Sequence, residues 1–412
     1  MQSQPRIAIV GGGPAGLTLG ALLHKRRIPF TIFELRQKPT EEQLAQPSGM
    51  LDLHDESGLA AIRECGLYDK FVPLVGECSE DFIVSDKNGN ILHTHKGDGA
   101  RPEISRNNLN KLLLDNVPAD SISWGQKLIS ATKPSNSSTE TLLDFGAHGQ
   151  HKFDLVVGAD GAWSRVRNLL TDTKPQYTGM QIITVTIREI TKKYPHLAAL
   201  VGSGTFSSLG NKHAVMSQRG PIDSSRIYLW LSHLDEDFAR TSGLADKAAT
   251  SAKDKLLTDN ALLGNFGSPI KELVSTACEE EAADHPGESL DIRGLYTLPY
   301  GTSWEHKPGV TLVGDAAHLM LPNGEGVNQG MLDSLLLSQA IIKAYETAGK
   351  GPDSFQNTID PLLKEFETAL VERAKETGNE TEALIKTMLG SDDAAHNLAG
   401  FFKSITQQQP EN

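Results

Sequence analysis

The chain has 412 residues, of which 38% are hydrophobic, and its 39 lysines and arginines face 52 aspartates and glutamates, a formal net charge of −13. This length suggests two domains, or one large domain with a subdomain. Binding to phosphates requires clustered basic residues, and those of this chain are scattered singly. The composition therefore argues against nucleic acid or an anionic membrane surface as a partner.

The three cysteines, Cys65, Cys78 and Cys278, form no CxxC pair and have no histidine-rich neighbourhood. Neither a disulfide framework nor a metal site is therefore predicted. No stretch approaches the ~18 consecutive apolar residues of a membrane span, and the first apolar run, residues 7–10, ends in glycines instead of a cleavage site. We expect a soluble cytoplasmic protein and, without a long coiled coil or a large apolar patch, a monomer.

The chain begins with the pattern of a βαβ unit. Small and β-branched residues predict a buried parallel strand over 6–10, and a glycine turn leads from it into an apolar-periodic helix over 17–25. A second strand is predicted over 30–34. Two later segments, 153–157 and 310–313, also have the pattern of buried strands, and a glycine and an aspartate follow each of them.

The middle of the chain, residues 178–290, has a different pattern. Alternating segments at 182–187 and 226–231 predict strands of a sheet with one exposed face, and the polar segment 245–257 predicts surface helix. Long helices are predicted over 326–348 and 353–388, and linkers at 133–141 and 284–289. Residues 407–412 are predicted to be frayed.

If the four buried strands share one sheet, the first domain is discontinuous and the middle sheet is inserted into it. We therefore predict a first domain over 1–175 and 290–350, an inserted β-sheet domain over 176–289, and a C-terminal helical segment over 351–406. Ligands of such α/β sheets bind at the carboxyl ends of the strands. The motifs at these strand ends should therefore converge at one edge.

A GxGxxG motif, formed by Gly11, Gly13 and Gly16, lies between the first strand and the first helix. The first glycine allows the tight turn, the second lets the backbone approach a pyrophosphate, and the third lets helix and strand pack closely. Glu34 ends the second strand 18 positions after Gly16, near the place where an acid binds a ribose hydroxyl. The motif predicts dinucleotide binding without separating FAD from NAD.

Two further strand ends carry candidate ligand-binding residues. Asp315 can accept hydrogen bonds from a ribityl hydroxyl, and the glycine-rich segment 322–328 offers helix N-terminal donors to the electron-rich edge of a flavin. The alternative is a capping aspartate and a turn. Asp160, followed by Arg165 and Arg167, could position a pyrophosphate or NADPH, and its alternative is a helix cap with solvated arginines.

Three signatures resemble those of the class A flavin-dependent monooxygenases, the para-hydroxybenzoate hydroxylase-like group. They are GGGPAG at 11–16, GADGAWSRVR at 158–167 and GDAAHLMLPNGEGVN at 314–328. Within that group, blocks 49–58 and 102–109 resemble those of the tetracycline-inactivating enzymes. The resemblance implies an α/β fold, with a Rossmann-like FAD-binding domain of the GR2 flavoprotein type, an inserted mixed β-sheet substrate domain and a C-terminal helix.

The resemblance also implies that Glu34 holds the adenosine ribose, that Asp52 and Arg106 contact FAD, and that Asp315 binds the ribityl chain. Arg36 is the nearest substitute for an arginine that the tetracycline-inactivating relatives place near the nicotinamide. The predicted cofactor site comprises Gly11, Gly13, Pro14, Ala15, Gly16, Glu34, Leu35, Arg36, Asp52, Arg106, Asp160, Asp315, Pro322, Gly324, Gly326, Val327 and Asn328. His318 is predicted to be structural.

The chemistry implied is that of the cofactor: NADPH reduces FAD, reduced flavin traps O₂ as a C4a-hydroperoxide, and one oxygen atom passes to the substrate. No residue of the chain is assigned a catalytic role. There is no second GxGxxG for NADPH, so the resemblance implies transient docking of this co-substrate. We expect an aromatic or polycyclic substrate with a phenolic or enolic group, with tetracyclines as the specific candidate.

The chain departs from the tetracycline-inactivating relatives around the expected substrate. The loop 322–326 is one residue shorter than the usual pattern, and its first residue, Pro322, is predicted to contact the substrate as well as the cofactor. Thr184, Lys212, Tyr228 and Trp230 stand where those relatives carry Gln, Arg, His and Gly. Lys212 could pair with an acidic enol, and Trp230 would narrow the pocket. The alternative is that some of these residues only pack the inserted sheet.

Two other functions fit the same fingerprints. One is an FAD-dependent reductase or dehydrogenase on the same scaffold, which the dependence on oxygen and the yield of hydrogen peroxide distinguish from a monooxygenase. The other is a non-catalytic carrier or regulator with a dinucleotide-binding fold. A colourless purified protein would favour it, and a yellow protein whose spectrum bleaches with NADPH would rule against it.

Overall fold

The computed structural model describes residues 4–134, 139–233, 235–347 and 352–408. The strands are β1 (Ile7–Val10), β2 (Thr31–Glu34), β3 (Met50–Asp52), β4 (Phe82–Asp86), β5 (Ile91–His95), β6 (Glu103–Ser105), β7 (Ile122–Trp124), β8 (Ser130–Thr132), β9 (Thr141–Asp144), β10 (Gln150–Phe153), β11 (Leu155–Gly158), β12 (Gln176–Ile187), β13 (Thr205–Gly210), β14 (His213–Gly220), β15 (Ser224–Ser232), β16 (Asp291–Thr297) and β17 (Val310–Leu312).

The α-helices are α1 (Pro14–Lys25), α2 (Glu41–Leu44), α3 (Gly58–Cys65), α4 (Tyr68–Phe71), α5 (Arg106–Leu114), α6 (Ile190–Lys193), α7 (Pro195–Val201), α8 (Phe238–Thr241), α9 (Ala249–Thr258), α10 (Ser268–Asp284), α11 (Asp315–His318), α12 (Glu325–Thr347), α13 (Pro352–Leu389) and α14 (Ala394–Gln408). Short 3₁₀-helices span Val72–Leu74, Ala119–Ser121, Gly146–His148 and Arg167–Leu169. No helix of the described ranges is both long enough and apolar enough to cross a membrane.

A five-stranded parallel sheet holds the motifs together. Its order is β17-β11-β1-β2-β7, so the four strands predicted to share one sheet do so. The fifth strand, β7, is not predicted from the sequence, because its three residues, which include a serine and a tryptophan, are too short to show a pattern. All five strands run the same way, and their carboxyl ends therefore meet at one edge, as expected.

The second large sheet has seven strands in the order β16-β12-β15-β14-β13-β4-β5. It contains both predicted segments, in β12 and β15, and its pairs are antiparallel except β13 with β4. β4 and β5 come from a part of the chain that the analysis assigned to the first domain. The domain boundaries themselves remain a prediction.

The two faces of this sheet have different neighbours. One face presents Ile183, Leu229 and their neighbours to a core that includes residues of α7, α9 and α10. The opposite face presents Ile182 and Trp230, which pack with Leu321 and with residues of α13 and α14. Because facing residues of paired strands lie on the same side, the second face is continuous from β12 to β13.

The predicted helices are present with small shifts at their ends. The long helix predicted over 326–348 is α12, and the one predicted over 353–388 is α13. The polar segment 245–257 contains most of α9. The end of the long helix at 348, part of the linker at 133–141 and the last four residues of the frayed tail lie outside the described residues.

One of the two alternatives for the loop after β11, a helix cap with solvated arginines, is wrong for Arg167. Arg167 begins the short 3₁₀-helix Arg167–Leu169, and it is 2% exposed. Its guanidinium donates to the carbonyl oxygens of Ala162 at 2.6 Å, Ala316 at 3.0 Å and Asp315 at 3.4 Å. Arg167 therefore joins the loop after β11 to α11, and Arg165 is the exposed residue of the pair.

Replacing Arg167 should destabilise the fold far more than replacing Arg165. Arg167→Leu leaves three carbonyl oxygens, one buried and two partly buried, without this donor, which we expect to cost about 2–4 kcal/mol of unfolding free energy. Arg165→Leu should change it by less than about 0.5 kcal/mol. Chemical denaturation of both variants measures the difference, and equal losses would contradict the bridging role of Arg167.

Candidate active site

The turn between β1 and α1 is made by close backbone contacts. Gly11 has φ +114°, and a Cβ atom on it would lie 2.1 Å from the carbonyl oxygen of Ala159. A Cβ atom on Gly16 would lie 2.0 Å from the carbonyl oxygen of Gly11. A Cβ atom on Gly13 would have no heavy atom of another described segment within 4 Å. The first and third glycines serve packing, and the second leaves its side open.

Glu34 lies beside this turn, at the end of β2. Its carboxylate accepts hydrogen bonds from the backbone N–H groups of Gly12 at 2.6 Å and Arg36 at 2.9 Å. Leu35 between them is 59% exposed, and Arg36 is exposed as well. Glu34 is therefore fixed at the edge of the sheet, while the two residues after it point outward.

The end of β17 brings a second carboxylate to the same edge. Gly314 has φ +61°, and a Cβ atom on it would lie 3.5 Å from Ala15 Cβ and 3.6 Å from Gly330 Cα, so α1 and α12 pass next to this turn. The Asp315 side chain is exposed, but it stands in a recess where desolvation raises the pKa of the carboxyl, and His318, Arg106 and Arg167 oppose this effect. Asp315 can therefore reach a ligand bound at the strand ends.

His318, next to Asp315, belongs to a buried ion network. Its Nε2 lies 2.6 Å from Asp333 Oδ2, and Arg373 Nη2 lies 2.9 Å from Asp333 Oδ1. Burial lowers the pKa of His318, but the charge and hydrogen bond of Asp333 outweigh this and raise it. Asp333 also accepts from the Gly314 N–H at 3.0 Å. The network fixes the Gly314 turn to α12 and α13, which fits the structural role expected for His318.

Asp160 uses its carboxylate inside its own loop. It accepts from the Ser164 hydroxyl at 2.5 Å and from the N–H groups of Arg165 at 2.7 Å and Val166 at 3.3 Å. This is the capping role that the sequence analysis kept as its alternative. A contact between Asp160 and a cofactor remains a prediction.

Asn328 joins the loop at the start of α12 to the segment after β3. Its side-chain oxygen lies 3.0, 3.2 and 3.2 Å from three donors within residues 54–58, and its amide donates to the carbonyl oxygen of Asp52 at 2.8 Å and of Gly324 at 3.3 Å. With 0% exposure, Asn328 acts on the site by holding the loop 322–326 in place. Val327 is half-buried beside it, and Pro322 is exposed.

Asp52 stands next to the glycine loop at the end of β3. A Cβ atom on Gly324 would lie 2.8 Å from Asp52 Oδ1, and His54 Nε2 lies 2.9 Å from Asp52 Oδ2. Burial raises the pKa of Asp52, but the hydrogen bond and charge of His54 outweigh it and lower the pKa below its ordinary value. Asp52 is therefore held ionised beside the loop.

Arg106 and Tyr228 approach each other where the ribbon of β3 and β6 meets the seven-stranded sheet. The Arg106 N–H donates to the Gly49 carbonyl oxygen at 2.9 Å, and its side chain is exposed. A Cβ atom on Gly49 would lie 2.7 Å from the Tyr228 hydroxyl. Burial raises the pKa of Tyr228, and Arg226 and Arg106 oppose the shift. The Tyr228 phenol therefore stays protonated near neutral pH.

Three of the five predicted substrate residues share one face of the seven-stranded sheet. Thr184 pairs directly with Tyr228, and Trp230 stands two residues further along the same strand. Thr184 is buried, and its hydroxyl has no hydrogen-bond partner among the described residues. Lys212 is not with them, because it lies exposed in the turn between β13 and β14 with φ +61°. Its contact with a substrate remains a prediction.

A buried carboxylate that the sequence pattern does not predict lies directly opposite Asp52. Glu103 pairs with Asp52 across the ribbon and accepts from the Gln218 amide at 3.1 Å, while Gln218 also accepts from the Met50 N–H at 3.1 Å. Burial, with the charge of Asp52, raises the pKa of Glu103 to about 7. Glu103 lies within the block 102–109, but only the register of the ribbon reveals that it faces Asp52.

Comparison with known proteins identifies the family. Residues 5–264 and 268–378 match the FAD binding domain family. The chain is 35% identical to monooxygenase penA of Penicillium thymicola over 405 residues, 90% of this chain and 93% of that protein. These matches cover the strand ends and the loop described above.

Solved structures share the fold. Klebsiella pneumoniae HpxO, in complex with FAD and uric acid, is similar with a TM-score of 0.74 at 16% identity over 99% of this chain and 94% of that chain. Tetracycline destructase Tet(51) is similar with a TM-score of 0.66 at 18% identity over 99% and 97%. At such identities these likenesses establish the fold alone. The family match and the relative together show that this chain belongs to the FAD binding domain family and is a flavin-dependent monooxygenase.

Proposed function

We propose that this monooxygenase uses NADPH and O₂ to add one oxygen atom to an aromatic or polycyclic small molecule that carries a phenolic or enolic hydroxyl. The observation that carries the proposal is the position of Trp230, which shares a sheet face with Thr184 and Tyr228 and packs in one cluster with Leu321, next to the loop 322–326. An aromatic wall and two hydroxyls thus stand beside the loop that the family resemblance places against the flavin ring.

The residues at the strand ends fit FAD. The open side of Gly13 and the start of α1, which has no side-chain cap, suit the pyrophosphate. Glu34 suits the adenosine ribose, and Asp315 suits the ribityl hydroxyls. Gly326 also has an open side, so that the start of α12 can approach the ring. The bound flavin supplies the redox chemistry that no side chain provides.

The residues of the chain then bind and orient the substrate. The Thr184 hydroxyl, which is buried without a partner, can form a hydrogen bond to a polar group of the substrate without breaking an existing one. The protonated Tyr228 can donate a hydrogen bond to an enolate or phenolate oxygen. Trp230 gives a flat apolar surface on which a ring system can stack. Lys212 contributes only if the turn that carries it approaches the substrate.

Tetracyclines are the specific substrates that we propose to test first. The support for them is the similarity of blocks 49–58 and 102–109 to tetracycline-inactivating enzymes. Trp230 stands where those relatives carry glycine, and its larger side chain would narrow the pocket. Substrates with smaller ring systems should therefore be compared with tetracyclines. A panel should therefore combine tetracyclines with smaller phenolic polyketides.

The reaction itself is tested by labelled oxygen. We expect a true substrate to accelerate NADPH oxidation under air and to gain one ¹⁸O atom from ¹⁸O₂, detected as a mass shift of the product. A compound that accelerates NADPH consumption and never gains oxygen, across the whole panel, would contradict the proposal. Turnover that continues without O₂ would favour a reductase.

The Thr184 hydroxyl is tested by a nearly isosteric change. We expect Thr184→Val to raise KM about tenfold, because a hydrogen bond to the substrate is lost, and to leave the unfolding free energy almost unchanged. Thr141→Val is the matched control, since Thr141 is equally buried, also lacks a partner for its hydroxyl, and lies in β9. Equal KM values for both variants would remove Thr184 from the substrate site.

Substitutions at two glycines of the turn between β1 and α1 distinguish an effect on FAD binding from an effect on folding. Gly13→Ala meets open space and, as a change at the N-cap of α1, should lower the unfolding free energy of the apoprotein by no more than about 1 kcal/mol, while weakening FAD binding at least about tenfold. Gly16→Ala drives a methyl group into the Gly11 carbonyl and should destabilise the apoprotein by about 3 kcal/mol. FAD titration and thermal unfolding measure both effects. Unimpaired FAD binding by Gly13→Ala would argue against a pyrophosphate at this turn.

A further inference from the structure

A buried histidine connects two segments of the candidate site. His54 is 4% exposed, and its ring lies between Asp52, at the end of β3, and Glu325, in the loop 322–326. The distances are 2.9 Å from Nε2 to Asp52 Oδ2 and 3.4 Å from Nδ1 to Glu325 Oε1. The two carboxylates thus approach the ring from opposite nitrogens.

The protonation state of His54 decides whether both contacts are attractive. An imidazolium has two N–H donors, whereas a neutral imidazole has one donor and one acceptor. A neutral ring that donates to Asp52 therefore turns a lone pair toward Glu325. Only the charged ring attracts both carboxylates at once.

The surrounding charges favour the charged ring. The hydrogen bond that the ring donates to Asp52 is the largest effect that raises the pKa of His54, burial opposes it, and the Glu325 carboxylate adds to the rise. Glu56, whose carboxylate lies 4.0 Å from Nδ1, is a third acid, and the charge of Arg101 acts in the opposite sense. Burial raises the pKa of Glu325, while the charge of His54 lowers it.

The loop 322–326 has few other polar ties. Asn323 donates to the Thr381 hydroxyl at 2.5 Å and accepts from the Glu325 N–H at 3.0 Å, and Asn328 holds the Gly324 carbonyl at 3.3 Å. The ion pair of Glu325 with His54 joins the loop to the segment after β3, and the charge of Arg101 also acts on Glu325. The loop also passes close to Asp52, because a Cβ atom on Gly324 would lie 2.8 Å from Asp52 Oδ1.

We propose that protonated His54 is a positioning residue that clamps the loop 322–326 to Asp52, so that the charge of one buried histidine sets how firmly the flavin is held. This inference rests on the proposed placement of FAD against the loop. The clamp is complete below the pKa of His54 in the folded protein and opens as the pH rises through it. FAD should therefore bind more weakly on the alkaline side.

The experiment has two independent measurements. The first is an NMR titration of the histidine rings in the apoprotein, in which the His54 signal is assigned because it is absent from His54→Asn. The second is a fluorescence titration that gives the FAD dissociation constant between about pH 6 and about pH 9. We expect the His54 midpoint to lie above that of an ordinary histidine and to fall in Glu325→Gln. Over the same range the dissociation constant of the unmodified protein should rise about tenfold, and this dependence should disappear in His54→Asn.

Glu272→Gln is the matched control. Glu272 lies 3.0 Å from His196, and both side chains are more than half exposed, so the same loss of a carboxylate should leave the His54 midpoint and the FAD profile unchanged. Thermal unfolding of each variant checks that it is folded. A His54 midpoint that does not move in Glu325→Gln, or an FAD profile that survives in His54→Asn, overturns the clamp. A chain that binds no FAD at any pH overturns the proposed function, and the NMR titration then still decides whether the ion pair exists.

Discussion

The site depends on how closely three backbone segments approach one another where α1 begins. The contacts of Gly11 with Ala159 and of Gly16 with Gly11 leave no room for a side chain. Ala15 fills the space left by the glycines at 314 and 330, and its carbonyl oxygen accepts from the Ser334 hydroxyl at 2.8 Å. Strands from three distant parts of the chain therefore end at one place, and their carboxylates and free helix ends converge there.

The sequence alone predicts those elements of the fold whose residues follow a local pattern. The strands that became β1, β2, β11 and β17 are continuous apolar runs followed by glycine, and this pattern needs no knowledge of distant contacts. The motif at 11–16 and Glu34 were recognisable for the same reason. The middle sheet was predicted from the alternation in β12 and β15, but β7 and the recruitment of β4 and β5 were not, because pairing between distant strands leaves no periodic signal.

The parts of the site that the sequence did not reveal are contacts between segments. Asp160 and Asn328 have residue types that suit a cofactor, and only the tertiary structure shows that their side chains also hold loops in place. Arg167 looked solvated, because nothing local shows that carbonyl groups from α11 surround it. His54 and Glu103 became candidates only when the ribbon and the loop placed them beside Asp52. Burial and partnership, which set the pKa of each group, arise from the tertiary fold.

A crystal structure of the chain with FAD tests the account most directly. The account predicts the adenosine ribose within hydrogen-bonding distance of Glu34, the pyrophosphate at the open side of Gly13, the ribityl chain at Asp315, and the ring between the loop 322–326 and the sheet face that carries Thr184 and Trp230. A flavin ring bound away from that loop, or a pyrophosphate away from the start of α1, would contradict it.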